Sequence, residues 1–195
     1  SGCPDVFATP YLATFDELLN GYPDQGNFEN CWSTNQPGSV FHWRTAATST
    51  GLINTGPQSD HTQGPGFNGK FLVANALYSG TQTDLFAGPF DLSTLTQPAL
   101  KFYYFMYGGN MGNLYLDIST DGIVWQQNVV SYKGQKQSSA TAPWGEAQVA
   151  LSQYIGDTIY LRFRAERGNG IEGNIAIDDV SIANAVGCIP PAGII

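Results

Sequence analysis

The sequence predicts an all-β sandwich, and three observations support this prediction. Hydrophobic residues make up 42% of the 195 residues, which is enough for one sizeable core. Charged residues are only 12%, aromatic residues reach 13%, and glycine occurs 23 times, a composition that suits short strands joined by tight turns. Apolar residues also alternate with a period of two in several segments, as in strands with one buried face.

The predicted strands follow from this alternation. The clearest segments, in chain order, are residues 100–106, 114–118, 147–151 and 158–165. Residues 100–106 are apolar or aromatic on both faces, so we expect a central strand that is covered on both sides. Gly122, in Thr-Asp-Gly, predicts a hairpin turn because glycine readily adopts a positive φ. The one helical pattern, at 16–19, is too short to predict a helix.

Long loops and a single domain complete the predicted organisation. The predicted loops are residues 18–30, 46–66, 132–144 and 166–174. Long loops on a rigid β scaffold often carry recognition, although most are plain connections. We expect one domain over residues 1–186, followed by a Pro- and Gly-containing linker over 187–195 that leads to another module.

Charge and hydropathy exclude several classes of partner. The net charge is −8, with 16 acidic and 8 basic residues. This balance argues against nucleic acid, whose binding proteins need basic patches, and against anionic membrane surfaces. It fits either cation binding or the solubility of an extracellular protein. No stretch is apolar enough to span a membrane, and no signal peptide is present, so we expect a mature chain or a piece of a longer one.

Catalytic motifs are weak, and we predict that the chain is not an enzyme. Residues 64–69 match G-x-G-x-x-G, but the following residues, 70–73, predict a strand rather than the helix that a dinucleotide site needs. The two histidines, His42 and His61, lie in neither a G-x-S-x-G nor an H-E-x-x-H context. Two carboxylates brought together by the fold remain an open catalytic alternative.

Four acids stand within apolar segments: Asp16, Asp60, Asp178 and Asp179. Buried carboxylates must be hydrogen-bonded, paired or metal-bound, and only eight Lys and Arg residues are present to pair with sixteen acids. Oxygen-only ligands favour calcium over zinc. The alternative is that Asp178 or Asp179 is a hydrogen-bonding residue in a strand bulge.

The three cysteines, Cys3, Cys31 and Cys188, form no C-x-x-C pair, which argues against a zinc ribbon. One disulfide is expected if the chain is exported, because disulfides persist in oxidising compartments.

Several segments in order carry a family resemblance. They are Phe15-Asp16, Trp43, Gly56-Pro57 with Asp60-His61-Thr62, the run from Leu100 to Leu114, and Ile175-Ala176-Ile177-Asp178-Asp179-Val180. Over residues 14–183 the chain resembles the MAM domain of meprins, neuropilins and mu-type receptor tyrosine phosphatases. The resemblance implies a jelly-roll β-sandwich of two antiparallel sheets. It also implies an extracellular recognition or adhesion module of a larger secreted or surface-anchored protein, with protein or glycan partners on a cell surface or matrix.

The resemblance further implies a structural calcium ion held by Asp16, Asp60 and Asp179, with Asp178 as an alternative ligand. Ala99 stands where the third family cysteine would lie, which is a departure from the family pattern. The N-terminal segment resembles bacterial modular surface proteins more closely. A Cys3–Cys31 bridge is therefore preferred, with Cys188 beginning the next unit, and Cys3–Cys188 is the rival pairing.

Two functions, adhesion and carbohydrate binding, are predicted as alternatives. The chain is expected to be an adhesion module, or else a carbohydrate-binding module appended to a polysaccharide-degrading enzyme or adhesin. Exposed aromatic rings would stack on sugars, and the candidate residues are Tyr107, Trp125, Tyr132 and Trp144. For most tryptophans of a sandwich, a place in the core is the competing interpretation.

Overall fold

A computed structural model describes residues 2–48, 54–65 and 68–187, and these residues form eleven strands and one short 3-10 turn. The strands are β1 (Tyr11–Ala13), β2 (Ser33–Thr34), β3 (Trp43–Ala46), β4 (Phe71–Ala74), β5 (Gln82–Asp91), β6 (Pro98–Met106), β7 (Asn113–Ser119), β8 (Gln126–Lys133), β9 (Gly145–Ala150), β10 (Thr158–Glu166) and β11 (Ile175–Asn184). The 3-10 turn is Ser152–Tyr154.

The strands form two antiparallel sheets. The first sheet has the order β3-β4-β11-β6-β9, and β1 pairs with β11 beside this path. The second sheet has the order β2-β5-β10-β7-β8. The predicted all-β, jelly-roll class of sandwich is therefore confirmed.

The main core lies between the sheets and follows the period-two alternation. In β10, Ile159, Leu161, Phe163 and Ala165 are fully buried, while the alternate residues are partly exposed. Full burial of Ile159, Leu161 or Phe163 contributes roughly 1.5–3 kcal/mol for each side chain by removing it from water. Trp32 also lies in this core and stacks on Phe163.

Strand β6 is covered on both faces, as its aromatic pattern predicts. Its inward residues, such as Phe102, belong to the main core. On its other face Phe105 packs with Phe71, Val73 and Ala176 in a smaller outer cluster, whose further members are Ala46 and the partly buried Tyr107, Ala142 and Trp144. The first sheet therefore carries a second apolar layer beneath its surface loops.

The connections agree with the predictions in part. Gly122 has a φ of 72° in the β7–β8 turn, as the Thr-Asp-Gly sequence predicts. Strand β8 extends to Lys133, so the loop predicted from residue 132 begins later, because Tyr132 pairs with Leu114 in the sheet. No helix among the described residues is long and apolar enough to cross a membrane.

A disulfide joins Cys3 to Cys31, the pairing preferred from the resemblance, and so excludes the Cys3–Cys188 bridge. Cys188 and the rest of 188–195 lie outside the described residues. The linker over 187–195 therefore stays a prediction.

Candidate functional site

The predicted acids of β11 lie at a bulge. The pairing of β11 with β6 shifts its register between Asp178 and Ser181, and Asp179 has a φ of 45°. A bulge bends the strand and redirects side chains. Here it sends the Asp178 side chain into the protein and leaves that of Asp179 partly accessible.

Asp178 is the most deeply buried of the four acids, with 1% of its surface exposed. One carboxylate oxygen accepts the backbone N–H of His61 at 2.8 Å, and the other accepts that of Asp179 at 2.8 Å. Burial, together with the negative charges of Asp179 and Asp60, raises the pKa of Asp178 to about 9 despite these two hydrogen bonds.

Asp60 is also buried and organises the chain that follows it. Its carboxylate accepts the backbone N–H groups of Thr62 at 3.2 Å and Gln63 at 3.0 Å. Gly69 lies against this carboxylate, and a Cβ built at Gly69 would be only 2.2 Å from Asp60 Cγ. A glycine is therefore required at residue 69 for Asp60 to keep this position.

Asp16 contacts the same loop from the N-terminal side. It follows Phe15, which has a left-handed φ of 62°. Asp16 Oδ1 accepts the backbone N–H of Lys70 at 2.8 Å, and Oδ2 accepts Gln63 Nε2 at 3.0 Å. Because Gln63 also donates its backbone N–H to Asp60, the side chain and backbone of one residue connect the two acids.

The four acids lie in the same region of the first sheet, but they are not arranged as a metal-binding cluster. Within the described ranges, no group of three or more His, Cys, Asp or Glu side chains is arranged to hold a metal ion. The arrangement also contains the hydrogen-bonding aspartates in a bulge that the sequence offered as the alternative.

His61 is fixed by three neighbours. Its Nδ1 lies 2.6 Å from Asp179 Oδ2, and Thr62 Oγ1 donates to the same oxygen at 2.5 Å. The imidazole stacks on Tyr103 with ring centroids 3.5 Å apart, and Trp144 meets the imidazole in an edge-on arrangement. The ring is thus held in one orientation at the surface of the first sheet.

Tyr103 is anchored in turn by Glu146, whose Oε2 accepts a hydrogen bond from the Tyr103 hydroxyl at 2.8 Å. Burial, and then this hydrogen bond, raises the pKa of Tyr103 to about 12. The phenol therefore stays protonated at neutral pH and keeps its hydrogen bond to the carboxylate.

Beside His61 lies a groove of about 360 Å³, which we call the Trp144 groove. It is lined by Gln58, Ser59, Asp60, His61, Gly64, Pro65, Ala140, Thr141, Ala142, Pro143 and Trp144. Its two walls are joined by a backbone hydrogen bond from Gln58 N–H to Ala140 O at 2.9 Å. One wall is joined to the end of β6 by Gly56 N–H to Tyr107 O at 3.0 Å. The groove is therefore formed before any ligand arrives.

The four aromatic candidates do not share one site. Trp144 lines the groove, and Tyr107 packs in the outer cluster of the same sheet. Trp125 lies on the outer face of the second sheet beside Phe86. Tyr132 stacks on Tyr104 at 4.0 Å against the main core. Of the four, Trp144 and Trp125 each line a surface pocket.

Sequence reasoning missed Tyr103, Gln58 and Ser59. Tyr103 had a signal, because it stands on the second aromatic face of the predicted central strand. Gln58 and Ser59 had none, since their place in the groove depends on a contact with a loop about eighty residues further along the chain.

Solved structures share this fold. The K1 cleaved adhesin domain of Lys-gingipain from Porphyromonas gingivalis is 14% identical, with a TM-score of 0.59 over 90% of this chain and 98% of that domain. The module TmCBM61, solved in complex with beta-1,4-galactotriose, is 13% identical, with a TM-score of 0.50 over 83% of this chain and 92% of that one. At these identities the likeness shows the fold alone.

Related sequences and a family model identify the family of the chain, which the shared fold alone does not. Human MAM domain-containing glycosylphosphatidylinositol anchor protein 2 is 30% identical over an alignment of 195 positions that covers 91% of this chain and 19% of that protein. Mouse neuropilin-1 is 27% identical over 95% of this chain and 20% of its own length. The chain thus spans about a fifth of these relatives. They are animal proteins, so the expected bacterial variety finds no support in them.

The family model described as MAM domain, meprin/A5/mu, matches residues 24–188, and the chain therefore belongs to the MAM domain family.

Proposed function

We propose that this chain is a non-catalytic extracellular recognition or adhesion module of a larger protein, and that it binds a protein segment in the Trp144 groove. The observation that carries this proposal is the preformed groove, in which His61 and Trp144 are held over the outer cluster of the first sheet. Ordered aromatic side chains cost little entropy on binding, which suits recognition. One relative is named for a glycosylphosphatidylinositol anchor, a lipid that attaches proteins to membranes, which supports a surface location.

The hydrogen bonding of His61 supports a non-catalytic role. A histidine base would have to accept a proton from a neighbouring hydroxyl or water. The nearby hydroxyl of Thr62 instead donates to Asp179, the same carboxylate that His61 Nδ1 contacts. This arrangement holds the imidazole in place and does not activate Thr62 as a nucleophile.

The groove is tested by selecting peptides from a random library on the immobilised chain. We expect peptides that bind the wild type and lose about tenfold or more in affinity on Trp144→Ala, because an aromatic anchor carries a large share of interface energy. Trp125→Ala, on the opposite sheet, is the matched control and should bind normally. Failure to enrich any peptide, or equal binding to the wild type and Trp144→Ala, would overturn the proposal.

We also propose that Asp16, Asp60 and Asp179, with Asp178 as the alternative, hold a structural calcium ion. Among the described residues neither Asp60 nor Asp178 has an ion pair with Lys or Arg. Both are nearly fully buried, which makes an unpaired negative charge costly. Asp60 Oδ1 and the two oxygens of Asp178 each accept one backbone N–H, and because a carboxylate oxygen has two lone pairs, these oxygens keep acceptor capacity for a cation. These oxygen donors are of the type that calcium binds, but no three of the described acids are arranged to hold a metal ion as they stand. The proposed site therefore requires these side chains to rearrange, with backbone carbonyl and water oxygens completing the calcium shell.

Thermal unfolding tests this ion. After chelation, added calcium should raise the unfolding midpoint in the wild type, since a ligand that binds only the native state stabilises it. The rise should be lost in Asp60→Asn and kept in Asp24→Asn, which changes an exposed acid elsewhere. An unchanged midpoint, in protein whose metal content is measured as nil before calcium is added, would exclude the calcium site.

A second candidate function is glycan binding. The observation that favours it is the pocket beside Trp125 on the second sheet, which is separate from the Trp144 groove. TmCBM61, which shares the fold, was solved with a galactotriose. The two functions are compatible, because the two sites lie on opposite sheets.

A further inference from the structure

A second pocket, which we call the Trp125 pocket, lies on the outer face of the second sheet. It has a volume of about 150 Å³. It is lined by Cys31, Ser33, Phe86, Ala87, Gly88, Gly122, Trp125, Tyr160 and Leu161. Three of these side chains are aromatic, and none belongs to Asp, Glu, Lys, Arg or His. The pocket is therefore suited to a neutral ligand with one flat apolar face.

Trp125 is fixed before any ligand binds. The guanidinium of Arg162 lies 4.6 Å from the centre of its ring, and the ring of Phe86 lies 6.0 Å away at an interplanar angle of 57°. Arg162 is itself held by the fully buried Asp117, with Nε 2.9 Å from Oδ2. A cation stacked on one face of an indole restrains the ring, so little side-chain entropy is lost when a ligand packs against it.

The turn that precedes Trp125 is equally well ordered. Asp121 Oδ1 accepts the backbone N–H groups of Ile123 and Val124, each at 2.8 Å, and Ser119 Oγ accepts that of Gly122 at 2.9 Å. These bonds place Trp125 at the pocket. Gly122 has a φ of 72°, which favours glycine, and a Cβ there would make an ordinary contact with the Tyr160 ring at 3.4 Å.

We propose that the Trp125 pocket binds one neutral pyranose ring of a glycan. The apolar C–H face of the sugar packs against Trp125 and Phe86, and its hydroxyls reach the hydroxyl of Ser33 and the polar backbone groups of the lining strands. No charged side chain lines the pocket, and the adjacent guanidinium of Arg162 is already paired with Asp117, which favours a neutral sugar over a sialylated or sulfated one. Pockets for drug-sized ligands hold roughly 300–1,000 Å³, so the smaller Trp125 pocket suits a single ring rather than a peptide segment.

This inference rests on the second candidate function, and a glycan array tests it. The array should contain neutral oligosaccharides of several configurations together with sialylated and sulfated ones. We expect binding to neutral glycans that is insensitive to salt, because no ion pair contributes. Calorimetry with the best glycan should show a loss of about tenfold or more on Trp125→Ala. Trp125→Phe, which keeps a smaller ring, should lose less and guards against misfolding.

Trp144→Ala is the matched control and should bind the glycan as the wild type does. Binding that is lost in Trp144→Ala and kept in Trp125→Ala would overturn the assignment of the pocket while leaving glycan recognition in place. Salt-sensitive binding of acidic glycans alone, or an apolar peptide that displaces the sugar with higher affinity, would overturn the neutral ligand. Binding to no glycan on the array would overturn both the proposed ligand of the Trp125 pocket and the second candidate function. The proposal that the Trp144 groove binds a protein segment would be unaffected.

Discussion

At the scale of single residues, His42 shows how burial constrains a titratable side chain. His42 is buried between Tyr22 and Tyr78, and its Nδ1 donates to Val40 O at 2.6 Å. Burial lowers the pKa of His42. The hydrogen bond to Val40 acts in the opposite direction, and the positive charge of Arg44 lowers the pKa further. The folded protein therefore holds this imidazole neutral at a pH where the unfolded chain already binds a proton.

The consequence is a predicted sensitivity to acid. Because the folded pKa is lowered, the stability from His42 is complete above the unfolded pKa of about 6.5 and falls as the pH decreases below it. Urea unfolding between pH 7.5 and 5 should show a loss of up to about 1.4 kcal/mol per pH unit from this residue. His42→Gln should flatten that part of the profile. Identical slopes in the two proteins would contradict the prediction.

Gly69 provides a second residue-scale prediction. Gly69→Ala should push the Asp60 carboxylate out of its position, because the new Cβ would lie 2.2–2.5 Å from three of its atoms. We expect a loss of about 1–3 kcal/mol in the free energy of unfolding, as for other overpacked sites. Gly2→Ala, which meets nothing within 4 Å, is the control. A change below about 0.5 kcal/mol, typical of plain surface substitutions, would show that the loop adapts freely.

At the scale of elements, Asp117 is central to the outer face of the second sheet. It lies on β7 and is fully buried between Arg162 and Arg164 of the adjacent β10. Burial alone would raise the pKa of Asp117, but hydrogen bonds from Arg164, from the backbone N–H of Asn128 and from Arg162 hold the pKa below its usual value. The carboxylate thus stays charged and orients both guanidinium groups.

Asp117→Asn should therefore destabilise the fold strongly. It removes the negative charge between two largely buried arginines, of which Arg164 keeps an ion pair with Glu166 at 3.6 Å. We expect a cost of about 3 kcal/mol, as in comparable buried pairs. The measurement is the free energy of urea unfolding at pH 7, with the exposed Asp157→Asn as control. Equal stability of the two variants would show that this network contributes little.

Some strands and site residues could be predicted from the sequence, and the bulge in β11 could not. Strands β6 and β10 were predictable because their core sets a strict alternation, which any residue on the wrong face would break. Asp178 and Asp179 were identifiable because they interrupt an apolar run, whereas Asp16 and Asp60 were identified through the family resemblance. The bulge that separates Asp178 from Asp179 was offered only as an alternative, since a one-residue shift in register leaves little trace in a single sequence.

At the scale of the whole molecule, the two-sheet sandwich separates two surfaces. The Trp144 groove lies over the first sheet, and the Trp125 pocket lies over the second. The sequence could nominate Trp125 and Trp144 as aromatic candidates but could not assign them to opposite faces. That assignment depends on which sheet each loop crosses, and long-range pairing decides it.

NMR can show whether the Trp144 groove is the recognition site for a protein segment. The indole N–H signals of Trp144 and Trp125 can be identified by comparison with Trp→Phe variants, and a library-selected peptide is then titrated in. Binding in the groove predicts that the Trp144 signal shifts with saturation while the Trp125 signal stays in place. A shift confined to Trp125, or no shift of Trp144 at saturating peptide, would contradict it.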